Sequence, residues 1–157
     1  MKHTDFIFAG LAGVMAGYII AKYRDNKEIS KAYMLSEKNK YLYRTAVQWM
    51  SIEKTGLGLS RCVREKGFKT IAVYGLSYLG KCLVDQLNRD DVNVVYGIDN
   101  GTIQFHFDIP TYTMADDLPD VDAVIVTPVY SFEEIKISLV QKVNCPILSL
   151  ADIVFER

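Results

Sequence analysis

Apolar and polar residues change their spacing along this chain, and each change marks a boundary. Residues 6–21 (FIFAGLAGVMAGYIIA) carry no charge and lie between Lys2, His3 and Asp5 on one side and Lys22, Arg24 and Lys27 on the other. As a helix rising 1.5 Å per residue the run covers about 24 Å, short of a ~30 Å hydrocarbon core, but flanking lysines can snorkel across the difference. The expectation is a single-pass membrane helix within residues 1–25. The alternative is a packing helix in a soluble protein. The residues that follow, Lys22-Tyr23-Arg24-Asp25, offer no small-x-small cleavage site. Ala9, Gly13 and Gly17 recur every four positions, a spacing that lets a second helix approach closely and so suits a homodimer.

From Asn26 to Lys54 there is no Pro or Gly, and Ile29, Tyr33, Leu42, Ala46, Val47, Trp49 and Met50 punctuate a charged sequence. This predicts one long helix or two in succession. Its second half is expected to pack on the following domain or on a twin subunit, with Trp49 as a core or interface residue. Gly56 and Gly58 should end it. Ser60 is the expected N-cap of a short helix over residues 61–66, with Gly67 as its left-handed C-terminal residue. Residues 26–67 are thus a helical linker or dimerisation region.

Beyond residue 68 the pattern becomes one of short buried strands and amphipathic helices. Residues 70–74 (TIAVY) form an unbroken apolar run, as a strand covered on both faces requires. Gly75 follows, and residues 77–88 have helical spacing through Leu79, Cys82, Leu83 and Leu87. Residues 92–98 read as a second strand ending in Asp99. Residues 102–107 and 109–113 are short extended pieces around Pro110, fit for an edge. Residues 122–127 (DAVIVT) are another buried strand. Ser131 and Glu134 match a capping box for a helix over residues 132–142. Residues 145–150 supply the last strand and residues 151–155 a closing turn. The fold class expected is α/β: a small Rossmann-like parallel sheet over residues 68–157 with an N-terminal helical extension.

In such a sheet ligands bind beyond the carboxyl ends of the strands. The candidate site is therefore Gly75, Leu76, Ser77, Tyr78, Leu79 and Gly80 with Asp99, Asn100, Thr127, Pro128 and Val129. Against the dinucleotide fingerprint G-x-G-x-x-G, Gly75 and Gly80 match the outer glycines while Ser77 replaces the middle one. A side chain there excludes the closest pyrophosphate contact, yet the opening amides of the helix still favour an anion, with the Ser77 hydroxyl as donor or cap. Asp99 stands about 20 residues past the glycine loop, where an acid can hold ribose hydroxyls. An ordinary Asp-Asn-Gly turn is the competing reading.

Composition narrows the partners. Net charge is −1, so no general field draws the chain to nucleic acid. Cys62, Cys82 and Cys145 are scattered and lack zinc-ligand spacing, as small apolar fillers in a reducing compartment would be. Asp116, Asp117, Asp120 and Asp122 surround Leu118-Pro119 and read as a loop; no metal site is expected. Tyr23 and Lys27 have the Tyr-x-x-x-Lys spacing of a proton relay but lie far from the sheet in sequence, and His3 and His106 lack acid-base partners. No catalytic residue is assigned.

The runs Ile71-Ala72-Val73-Tyr74-Gly75 with Gly80, Val95-Tyr96-Gly97-Ile98-Asp99, and Leu118-Pro119 before residues 122–127 resemble the N-terminal Rossmann-like domain of bacterial sugar acetyltransferases of the bacillosamine type. They also resemble epimerase-like or CoA-binding half-Rossmann modules of polysaccharide biosynthesis. The resemblance covers about the last 90 residues. It implies a nucleotide-sugar held near Gly75, Ser77, Gly80 and Asp99, with NAD(P) or CoA as other ligands. No hexapeptide-repeat β-helix follows Asp152, so the acetyl-transferring part is absent from this sequence. The expected protein is a membrane-tethered nucleotide- or nucleotide-sugar-binding module. By the positive-inside rule it lies on the cytoplasmic side of the membrane. The alternatives are an NAD-dependent epimerase or dehydrogenase, a scaffold without a ligand, and a soluble cytoplasmic location.

Overall fold

The computed structural model describes residues 2–56, 58–90, 92–101 and 105–155, although side chains of residues 2–14, 16 and 19 lie outside that description. The chain divides into two compact units, residues 1–40 and 41–157. Helix α1 (Lys2–Lys54) is continuous, as the absence of Pro and of any Gly after Gly17 allows. Within the first unit the described side chains are exposed except for a half-buried Glu37. Among the described residues no helix is long and apolar enough to cross a membrane. The apolar run 6–21 lies mainly outside the described side chains, as do Ala9 and Gly13.

The second unit is built on a five-stranded parallel sheet: β1 (Thr70–Tyr74), β2 (Asn93–Ile98), β3 (Thr111–Tyr112), β4 (Ala123–Val126) and β5 (Ile147–Ser149), in the order β3-β2-β1-β4-β5. This is the order of a Rossmann-like doubly wound sheet, with a switch point between β1 and β4. The central strands are apolar throughout because helices cover both faces.

One face packs against the end of α1 through Trp49 and Ile52, α2 (Leu59–Glu65) through Leu59 and Val63, and α3 (Tyr78–Arg89) through Leu83, Val84 and Leu87. The last helix, α5 (Leu150–Phe155), adds Leu150, Ile153 and Val154 to the same layer. The other face is covered by α4 (Phe132–Leu139) through Phe132, Ile135 and Leu139 with the loop residues Met114, Leu118 and Val121. Trp49 therefore faces its own core. Its indole N–H donates to Gln86 Oε1 at 2.8 Å, joining α1 to α3, while the buried Gln86 Nε2 finds no partner among the described residues.

A bulge sets the phase of β2. Ile71 pairs with Val94 but Ala72 pairs with Tyr96, so Val95 is an extra residue. Side chains alternate between faces, so the insertion flips the rest of the strand: Tyr96 and Ile98 join the α4 face while Gly97 comes to lie on the α3 face.

Several local expectations fail for tertiary reasons. Ser60 is not the cap of α2: it lies inside the helix, fully buried, and its hydroxyl donates to Asp90 Oδ2 at 2.6 Å. The Glu53 carboxylate instead accepts the Leu59 N–H at 2.9 Å, doing the cap's work from the end of α1. Ser131 makes no capping bond, because a 3-10 turn over Val129–Ser131 leads into α4 and takes it out of the extended geometry a capping box needs. The extended pieces around Pro110 shrink to β3 at the sheet edge, and residues 102–104 lie outside the described set. Cys82 is exposed, not an apolar filler; Cys62 and Cys145 are half-buried. Gly67 has the left-handed φ of +83° expected of it.

Candidate functional site

The expected site residues from the glycine loop, Asp99-Asn100 and Thr127 to Val129 do come together at the carboxyl ends of β1, β2 and β4. Gly75 leaves β1 with φ +91°, a region closed to most side chains. A Cβ on it would meet Pro128 Cδ at 2.6 Å and Thr127 Oγ1 at 2.7 Å. Gly80, one turn into α3, has no room either, since a Cβ would fall 2.0 Å from the Gly75 carbonyl oxygen. The glycines thus serve close packing of helix on strand, the role of the fingerprint's last position.

Thr127 closes the loop from the β4 side, its hydroxyl donating to Gly75 O at 2.7 Å. Its own N–H donates to Tyr74 O at 3.0 Å. Leu76 does not face solvent: it is 1% exposed and fills the space above Gly97, where a Cβ would lie 2.7 Å from its Cδ2. Its contribution at the loop is backbone alone.

Asp99 and Asn100 are engaged by the protein itself. Asp99 Oδ2 accepts the Leu76 N–H and Oδ1 accepts the Gly101 N–H, both at 2.7 Å. Asn100 Oδ1 accepts the Met114 N–H at 2.9 Å, tying down the β3–β4 loop. Burial raises the Tyr74 hydroxyl above its ordinary pKa, and the Asp99 charge adds to the shift.

Val129, expected at the site, is buried in the core and Pro128 is half-buried, so the open groups are those at the start of α3. Ser77 and Tyr78 are exposed, Leu79 is half-buried, and the Ser77 hydroxyl makes no cap bond. The first backbone bond of α3 runs from Lys81 N to Ser77 O, so the N–H groups of Tyr78, Leu79 and Gly80 precede the helical ladder and meet no backbone acceptor among the described residues. The sequence reading missed two neighbours. Phe105 stands edge-on to Tyr78 with ring centroids 4.8 Å apart, and Lys81 brings a positive charge to the first turn of α3, bonded to Asp85 at 2.5 Å. Phe105 lies in an irregular segment with no periodicity to mark it. Lys81 could have been found by asking which basic residue sits on the opening turn.

Among the described residues no group of His, Cys, Asp or Glu is arranged to hold a metal. The chain matches no family model, no curated protein and no solved structure. The fold by itself defines the class: a parallel, Rossmann-like α/β domain with its loops gathered at a β1/β4 switch point.

Proposed function

We propose that the α/β domain binds a nucleotide-type ligand, with an anionic phosphate at the opening of α3 and the rest of the molecule along Ser77, Tyr78 and the Thr127 to Val129 loop. The observation that carries this reading is the set of N–H groups at Tyr78, Leu79 and Gly80, without backbone acceptors, at the switch point of the sheet. Lys81 adds charge of the right sign, and the Tyr78–Phe105 pair offers an aromatic wall for a base. The sequence resemblance to sugar-acetyltransferase and epimerase-like modules narrows the proposed ligand to a nucleotide-sugar, ahead of NAD(P) or CoA. With no catalytic group assigned, the proposed role is accessory to surface-polysaccharide synthesis. The uncharged run 6–21 and the basic residues after it support a tether that leaves the domain on the cytoplasmic side of a membrane. A homodimer would form through Ala9, Gly13 and Gly17, or through the face of α1 opposite Trp49, where Tyr43, Val47 and Met50 are exposed.

The test is differential scanning fluorimetry of the full chain with NAD, NADP, CoA, UDP-sugars and dTDP-sugars. A ligand at a hundred times its dissociation constant stabilises the fold by about 2.7 kcal/mol. Ser77→Asp keeps a good N-cap but sets a negative charge at the anion's place, so it should abolish the shift without harming the fold. A scaffold without ligand is the second reading, favoured by the engagement of both Asp99 oxygens and of Asn100 within the protein. It predicts no shift with any of these compounds, the result that would end the first reading.

A further inference from the structure

Helix α3 begins at the crevice and ends, at Arg89, near the amino-terminal edge of the sheet where β2 starts. At that opposite end lies a cavity of about 500 Å³ lined by Glu53, Gly56, Gly58, Arg61, Arg64, Arg89 and Asp90. Arg61 and Arg64 come from α2 and Arg89 from the last turn of α3, so two packed helices bring three guanidinium groups to one depression.

Each guanidinium is held by one of its nitrogens. Arg61 Nε donates to Glu65 Oε1 at 2.7 Å, Arg64 Nη1 donates to the Asp90 carbonyl, and Arg89 Nε donates to the Asp85 carbonyl at 3.2 Å. Arg61 and Arg89 are thus bonded through Nε, and among the described residues no side-chain or backbone acceptor meets the terminal N–H pair of either. The two acids of the lining have internal duties. Glu53 Oε1 accepts the Leu59 N–H, and Asp90 Oδ2 accepts the Ser60 hydroxyl. Gly56 and Gly58 also line the cavity, and a Cβ on Gly58 would lie 3.0 Å from Glu53 Oε2.

We propose that this cavity is a second anion site, separate from the crevice, which takes a phosphate monoester or inorganic phosphate. Three arginines lining one cavity carry more donors than a carboxylate can accept. A phosphate monoester presents three terminal oxygens on one centre, whereas a carboxylate presents two. The volume falls in the range of small-molecule sites, so a compact phosphorylated metabolite fits and a polymer is not required.

Isothermal titration of the full chain with inorganic phosphate, and separately with acetate, tests the assignment. Phosphate should bind, acetate should bind more weakly, and Arg61→Gln with Arg89→Gln should weaken phosphate about tenfold or more, a change of about 1.4 kcal/mol. Arg61→Lys with Arg89→Lys keeps the charge and the fold but removes both forks, and should also bind phosphate more weakly than the native chain. In the Ser77→Asp chain, where the crevice is closed to anions, phosphate should still bind the cavity, which separates the two sites. Absence of phosphate binding at millimolar concentration, equal binding of acetate, or native affinity in either double variant would overturn the proposal.

Discussion

Asp99 is where the structural and the ligand-binding readings compete, and Asp99→Asn separates them. The carboxylate accepts one N–H on each oxygen, from Leu76 and from Gly101, at 2.7 Å. A hydrogen bond to a charged acceptor contributes about 1.5–3 kcal/mol. Asparagine keeps one acceptor oxygen and turns an NH₂ toward the other amide, so one bond is lost, a donor faces a donor, and the surviving bond loses its charge. With Asp99 half-buried, the expected cost is about 2–3 kcal/mol, near the lower part of the sum of those effects. At roughly 4 °C per kcal/mol for a domain of this size, Tm should fall by about 8–12 °C. Urea unfolding followed through Trp49, the only tryptophan in the chain and a buried one, reads the change directly. The midpoint should shift at constant slope. Asp108→Asn is the control, since among the described residues Asp108 pairs only with the exposed His106, and it should stay within about 0.5 kcal/mol of the native value. If Asp99→Asn were as mild as that control, the loop would not depend on the carboxylate, and a ligand role for Asp99 would regain its standing.

Other outcomes follow from the same geometry. Trp49→Phe removes the donor to Gln86 Oε1 and leaves the whole buried amide without partners; the expected loss is about 1–3 kcal/mol, measured by circular dichroism because the fluorophore is gone. Gly80→Ala drives a methyl group into the Gly75 carbonyl, so urea unfolding should show a loss at or above the upper end of the about 1–3 kcal/mol usual for overpacking. Burial, aided by Cys145, Asp120 and Tyr112, pushes the Tyr96 hydroxyl up to about 12. Its stabilising effect should therefore be complete below the ordinary value of 10.0 and be lost as pH rises toward 12, with Tyr96→Phe removing that alkaline slope in pH-dependent unfolding.

What could be read in the sequence was what depends on short stretches of chain. The unbroken apolar runs of β1 and β4 give their burial directly, and Gly75 and Gly80 give the tight strand-to-helix turn. Caps were less legible because a side chain of the preceding helix can take the job, as Glu53 does for α2 while Ser60 turns inward to Asp90. The candidate loops lie together at the strand ends, but the duties of their residues were hidden. That Leu76 would sink onto Gly97, or that Asp99 would be engaged by the amides of Leu76 and Gly101, depends on β2 being one residue out of phase, and no local pattern announces a bulge.

The extra residue in β2 ties the glycine loop to a strand it never joins in sequence. Were Val95 instead paired in regular register with Ala72, simple alternation would send Gly97 to the α4 side and set a bulky neighbour beneath Leu76. The loop and the bulge are thus matched parts: Leu76 can sink where it does because the unpaired Val95 brings Gly97 beneath it.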